Sequence, residues 1–299
     1  MRILETVSEL QQLADAERAA GRRIALVPTM GALHPGHLSL VKEARERADR
    51  VWVSIFVNPT QFNDPKDLSA YPRSLDADLE ACELAGVDVV FRPDTGEMYP
   101  SDSQTTVDVG SLCEPLCGRA RPGHFRGVTT IVSKLLLAAK PHVAVFGEKD
   151  YQQLAVIRRM ARDLGFDVDI VGAATLREAD GLAMSSRNAN LDPEARRQAV
   201  ALVRALDAAE AAVVSGETDR DELLALARAE IARAPLARID YAELCDPDSL
   251  AQAPGSLESP ALLALAVFFE PGDPNAGSRV RLIDNRVLPV QHEHEDPSS

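Results

Sequence analysis

Over the first two-thirds of the chain, apolar residues come in short, nearly unbroken runs. Between the runs they recur at helical spacing. The runs IALVP (24–28), VWVSIFV (51–57), VDVVF (87–91), HVAVFG (142–147) and VDIVG (168–172) have strand length and are rich in valine. Continuous rather than alternating apolar character predicts strands buried on both faces. The intervening segments predict amphipathic helices: HLSLVKEARERA (37–48), LDADLEACELAG (75–86) behind a Ser74 cap, VTTIVSKLLLAA (128–139), and YQQLAVIRRMARDLG (151–165) behind an Asp150 cap. Thr6 and Glu9 have capping-box spacing, so the N-terminus reads as an acidic helix from the start, closed by Gly21. Strand and helix in strict alternation predict an α/β domain, a parallel sheet covered on both faces.

After about residue 185 the rhythm changes. PEARRQAVALVRALDAAEAAV (193–213) reads as one long helix and RDELLALARAEIA (220–232) as another. IDYAELCD (239–246), ALLALAVFF (261–269) and RVRLIDNRVL (279–288) then read as strands. This is a smaller α+β unit, and the expected organisation is 1–180, 181–290 and a polar, disordered tail at 291–299.

Charge narrows the function. A formal net charge of −14 excludes broad nucleic-acid or anionic-membrane binding but not a small anionic ligand held by local positive groups. No apolar stretch reaches the roughly 20 residues needed to span a bilayer. The start, MRILETVSEL, lacks a signal peptide's apolar block. Four cysteines, Cys82, Cys113, Cys117 and Cys245, are too few and scattered for a secreted disulfide framework, so a cytoplasmic protein is expected. CEPLC (113–117) has no further metal ligands nearby in sequence and reads as ordinary thiols.

In open parallel sheets, ligands sit beyond the carboxyl ends of the strands. Four segments there carry polar chemistry. VPTMGALHPGHLSL (27–40) puts Gly31, Gly36, His34 and His37 at a helix start, where unpaired N–H groups and the helix dipole favour anions. It is neither a P-loop nor a dinucleotide fingerprint. SIFVNPTQF (54–62) offers the neutral amides of Asn58 and Gln61, suited to a ligand with hydroxyls and a carboxylate. FGEKDYQQL (146–154) offers Lys149, Asp150 and Gln153. GLAMSSRN (181–188) offers Ser185, Ser186 and Arg187, a phosphate clamp at the domain boundary, able to close over a ligand. GRARPGHFRGV (118–128) is locally basic, which suits either anion steering or a plain solvated loop.

The pattern T-M-G-x-L-H-x-G-H is similar to the HIGH signature of adenylate-forming nucleotidyltransferases and class I aminoacyl-tRNA synthetases. With SIFVNPTQF, YPRSLDAD, RPGHFRGV, FGEKDYQQL, READGLAMSSRN and RLIDN in order, residues 1–290 resemble the pantothenate synthetase family. The resemblance implies a Rossmann-like first domain, a smaller second domain and a homodimer. It implies ATP with Mg²⁺, pantoate and β-alanine as substrates, and a pantoyl-adenylate intermediate. It implies that Met30, Gly31, Ala32, Leu33, His34, Pro35, Gly36 and His37 border ATP, with His34 and His37 at the phosphates and His37 as proton donor. Gly147, Glu148, Lys149, Asp150 and Leu176 match nucleotide contacts, and Met184, Ser185, Ser186 and Arg187 match a mobile phosphate loop. Gln61 and Gln153 match the amides that hold pantoate. The Mg²⁺ ligands stay unassigned. The cysteines of CEPLCGRARPGHF and the long Pro/Gly-rich link before RLIDN depart from the family pattern, the latter expected to be a hairpin extension. The alternative is another HxGH nucleotidyltransferase, which has no need of the Gln61/Gln153 pair.

Overall fold

The computed structural model describes residues 1–273 and 278–290, the side chains of 66, 67 and 70 excepted. The expected tail at 291–299 and the middle of the link before RLIDN lie outside the described residues. The chain divides into two compact units, one of Met1–Leu176 and one beginning at Arg177.

The first unit runs β1 (Arg2–Leu4), α1 (Val7–Ala19), β2 (Ile24–Thr29), α2 (Pro35–Arg45), β3 (Arg50–Ile55), α3 (Pro65–Ala70), α4 (Leu75–Leu84), β4 (Val89–Phe91), α5 (Thr95–Met98), α6 (Cys117–Ala120), α7 (His124–Ala139), β5 (Val143–Gly147), α8 (Tyr151–Asp163) and β6 (Asp169–Ala173). The six strands form one sheet in the order β1-β4-β3-β2-β5-β6, every pairing parallel. Residues alternate between its faces. Ile24, Leu26 and Trp52 pack with Leu10 of α1, Leu135 of α7 and Ile157 of α8. Ala25, Val27 and Val53 pack with Val41 of α2 and Cys82 of α4. Both faces are therefore covered, as unbroken apolar strands require.

Strand order reverses between β2 and β5. Only Ala25 and Leu26 of β2 pair with β5; beyond them β2 pairs with β3 alone and β5 with β6 alone. The two strands part toward their carboxyl ends, which is where a doubly wound sheet opens a ligand crevice.

The second unit has α9 (Pro193–Gln198), α10 (Ala201–Val214) and α11 (Arg220–Ala232), then β7 (Ala237–Cys245), β8 (Ala261–Phe269) and β9 (Val280–Leu288) in one antiparallel sheet. Leu202, Leu206, Leu223 and Ile231 of the helices pack on Leu263, Leu265 and Val267.

Four local expectations are corrected. The chain begins with a strand, β1, paired with β4, before the Thr6-capped helix; Ile3 and Leu4 stand between Arg2 and Glu5 and make no apolar run of strand length. The Ala-rich stretch from 193 is two helices, interrupted at Ala199–Val200, because Ala and Leu favour helix but do not fix where one ends. Ser74 and Asp150 stand at N-cap positions but make no side-chain cap bond. Ser74 instead donates to Asp78 Oδ1 at 3.3 Å.

Candidate active site

The loop leaving β2 is built on two successive residues in the left-handed region, Gly31 (φ 82°) and Ala32 (φ 51°). It delivers His34 to the N-cap of α2, with Pro35 at the first helical position. His34 Nδ1 accepts from Gly36 N at 3.1 Å, and His37 Nδ1 accepts from His34 N at 3.3 Å. The two imidazoles replace the usual Ser or Asp cap, with ring centroids 4.1 Å apart. An Nδ1 that accepts carries no proton, so both rings are neutral and turn an Nε2–H donor outward. Burial and then the neighbouring His34 push the His37 pKa down to about 4; Asp150 opposes them, and Lys149 adds the smallest lowering effect. Burial and Lys149 lower that of His34 as well.

This corrects the expectation of unpaired helix-start N–H groups. Gly31 N bonds Thr29 Oγ1, Ala32 N and Leu33 N bond the Asp78 carboxylate, and His37 N bonds His34 O. With the two histidine caps, the backbone donors of the turn are spent internally. The anion-binding capacity of this segment lies in its side chains.

The Glu148–Asp150 turn leaves β5 on the other side of the crevice. The HPGH and GEKD turns follow the adjacent strands β2 and β5, which places them side by side at the sheet's edge. Gln153, in the first turn of α8, is half-buried and makes no hydrogen bond among the described residues.

Gln61 closes the Pro59–Gln61 turn after β3 and is buried. Its Nε2 lies 3.0 Å from Met30 Sδ, a weak acceptor, which brings the amide to the edge of the histidine segment. Asn58 is 1% exposed and fully partnered. Its Nδ2 donates to Gln61 Oε1 (3.0 Å) and Gly127 O (3.1 Å). Its Oδ1 accepts from Thr60 Oγ1 and Tyr99 OH, both at 2.9 Å. Asn58 thus has no polar atom left for a ligand and instead sets which way the Gln61 amide faces.

Three groups not singled out from the sequence support this frame. His124 Nδ1 donates to Gln61 O at 2.8 Å, alongside Arg121 Nη2 at 3.2 Å. Gly127 has no side chain because a Cβ there would stand 2.5 Å from Thr60 O. Gln152, buried beside Gln153, donates to Leu112 O and Pro115 O and accepts from Cys117 N, tying the CEPLC loop to α8. The cysteines are free thiols.

In the second unit, Arg177 makes a bidentate pair with Asp284 of the RLIDN strand (2.7 and 3.0 Å) and donates to Gly181 O. Arg196 holds Glu178 and Asp180, and Asn188 Nδ2 donates to Glu178 Oε1. These bonds brace the base of the READGLAMSSRN loop. Ser185 caps the short turn Ser186–Asn190, while α9 has its own cap in Asp192. The Ser186 hydroxyl and the exposed Arg187 guanidinium make no hydrogen bond or ion pair among the described residues. Leu176, exposed, ends the first unit, and Met184 opens the loop tip.

Residues 2–287 match the family model of pantoate–β-alanine ligase. The chain belongs to the pantoate–β-alanine ligase family. A pantothenate synthetase of Syntrophobacter fumaroxidans is 53% identical over 96% of this chain and 99% of its own length. One from Geobacter sulfurreducens is 50% identical over 96% and 99%. Among solved structures, the Thermus thermophilus family member has a TM-score of 0.87 at 43% identity, covering 96% of this chain and 99% of its own. The Francisella tularensis ligase, solved with β-γ ATP and β-alanine, has a TM-score of 0.75 at 32% identity over 96% and 98%. Family membership explains why the motifs of both units occur in one order along one chain. Among the described residues no helix is long and apolar enough to cross a membrane, and none of the His, Cys, Asp and Glu side chains form a group of three that could hold a metal ion.

Proposed function

We propose that the crevice between β2 and β5 is where this pantoate–β-alanine ligase binds ATP and pantoate and forms pantoyl adenylate. The observation that carries this reading is the placing of the HPGH and GEKD turns on adjacent strands, side by side where the sheet's strand order reverses.

The chemical obstacle is electrostatic, since a carboxylate must approach a polyphosphate. One pantoate carboxylate oxygen attacks the α-phosphorus, the bond to the bridging oxygen breaks, and pyrophosphate leaves with that electron pair. Lys149 and the Nε2–H groups of His34 and His37 meet the growing negative charge, and Arg187 with Ser185 and Ser186 holds the departing pyrophosphate. His37 acts as a neutral hydrogen-bond donor rather than an imidazolium, as its low pKa requires. Mg²⁺ bound with ATP would supply further positive charge against the triphosphate. Gln61 and Gln153 hold pantoate in line, where positioning converts binding into rate. The uncharged amine of β-alanine then attacks the acyl carbon, the acyl–phosphate bond breaks, AMP leaves and the amine sheds a proton. The Francisella relative, solved in complex with β-γ ATP and β-alanine, supports both as ligands. The working form is a homodimer in the cytoplasm.

His37→Ala tests the reading. Pantoate-dependent pyrophosphate exchange is expected to fall by about 10²–10³, the usual loss on removing one preorganised donor. Full exchange activity in a folded variant would refute it.

A further inference from the structure

The search for a second role leads to a carboxylate beneath the histidine turn. Asp78 lies on α4, in a segment whose acidic residues otherwise face solvent, yet it is 3% exposed. Its Oδ2 accepts from Ala32 N at 2.9 Å and its Oδ1 from Leu33 N at 2.7 Å, with the Ser74 hydroxyl behind. Above it stands the pair Gly31–Ala32, both at positive φ. A Cβ at Gly31 would sit 2.9 Å from Asp78 Oδ2 and 3.2 Å from Ile55 Cγ2, so the backbone has closed onto the carboxylate as far as glycine allows. An alanine in the left-handed region is unfavourable on its own and persists only where its surroundings over-determine it.

We infer that Asp78 is a positioning residue for ATP: its two backbone bonds hold the left-handed Gly31–Ala32 turn that sets His34 and His37 at the head of α2. The idea rests on the reading of Met30–His37 as the ATP segment. It also accounts for a negative charge placed next to a site for a polyanion. The charge is spent on the Ala32 and Leu33 N–H groups. Without it, Ala32 relaxes toward negative φ and the histidine pair swings out of register with Lys149.

The test is Asp78→Asn, nearly isosteric but able to accept only one of the two bonds, with ATP binding measured by calorimetry in the absence of pantoate. Loss of a charge-assisted pair predicts an ATP Kd raised by about tenfold or more. Pantoate KM at saturating ATP stays within twofold, because the Asn58–Gln61 frame is untouched. Hydrogen exchange at the Ala32 and Leu33 amides, slow in the parent chain, becomes fast. Adding Ala32→Gly to Asp78→Asn removes the penalty for positive φ and recovers part of the lost affinity, a rescue that a merely structural carboxylate would not show. An ATP Kd within twofold of the parent overturns the inference. Should Asp78→Asn not fold, Asp78→Glu keeps the charge but pushes the carboxylate against Gly31, with the same selective loss expected and the same unchanged Kd overturning it. Lys149→Ala separates the two levels. If it leaves ATP binding unaltered, the site reading fails; if it weakens ATP while Asp78→Asn does not, only the role of Asp78 falls.

Discussion

Protonating His37 should unfasten the start of α2, and the size of that effect follows from the structure. In the unfolded chain the imidazole takes up a proton below its usual pKa of 6.5; in the folded chain it does so only near 4. Burial is the main cause, with His34 and Lys149 adding to it, and the Nδ1 lone pair is already committed to His34 N. Between those two values the unfolded state binds more protons, so folding stability falls as pH drops from about 6.5 to 4 and levels off below. For a single group with these pKa values the loss at pH 4.5 is about 2.5 kcal/mol, and closer to 2 once the ring's partial exposure is discounted. The perturbation is His37→Ala, and the assay is urea unfolding of parent and variant at a series of pH values between 7 and 4.5. The parent should lose about 2 kcal/mol more than the variant over that range, other titrating groups cancelling in the comparison. Nitrogen NMR of labelled histidine should show His37 unprotonated at Nδ1 and protonated at Nε2 from pH 7 down to about 5.5, and kcat/KM for ATP should show no inflection near 6.5. Parallel stability curves, or a His37 that titrates between 6 and 7, would refute the reasoning.

Gln153→Ala should weaken pantoate binding more than ATP binding, since its side-chain amide has no partner among the described residues; equal losses by calorimetry would contradict that. Tyr99→Phe removes one bond to Asn58 Oδ1 and should raise pantoate KM a few-fold, about the value of one neutral hydrogen bond, with ATP KM unchanged in steady-state kinetics. Arg187→Ala should slow pyrophosphate release by about 10²–10³ while the thermal midpoint stays put, because the guanidinium is exposed and contributes no internal bond among the described residues. Asp284→Asn leaves Arg177 without its buried partner and should destabilise the second unit by about 3–5 kcal/mol, visible as a lowered unfolding transition in calorimetry.

The strands and most helices were legible in the sequence because each is a run of apolar residues with its own period. Strands β2 to β6 of the parallel sheet reveal themselves in this way, and so do the places where His34, Lys149 and Gln61 leave it. What stayed hidden depends on pairing between distant segments. β1 is three residues long and exists because β4 offers it an edge. Asp78 sits among acidic neighbours of the same helix, and nothing in its spacing separates a carboxylate facing solvent from one facing the Ala32 and Leu33 amides 45 residues or more away. Asn58 looks in sequence like a ligand contact equal to Gln61. Only the partners converging on it from Thr60, Tyr99 and Gly127 show that it is already saturated.

The same bookkeeping of donors changes how the histidine turn works. A helix start that kept its N–H groups free would bind phosphate through fixed backbone dipoles, and its hold on ATP would be insensitive to side-chain substitution. Here those groups are bonded within the turn, so the loop keeps its shape without a ligand. On the proposed reading, recognition passes to the Nε2–H groups of His34 and His37, left over once Nδ1 has accepted, and to Lys149. Such a site is preorganised in backbone and electropositive only through side chains, in a protein whose net charge is −14. Removing Lys149 should therefore reduce transition-state stabilisation without reshaping the turn, whereas loosening Asp78 should reshape the turn while leaving the lysine and both imidazoles intact. Crossing Lys149→Ala with Asp78→Asn puts this to the proof. If the turn acts by aiming the histidines at the phosphates held by Lys149, the two losses are less than additive, and full additivity would mean that the carboxylate and the lysine serve separate ends.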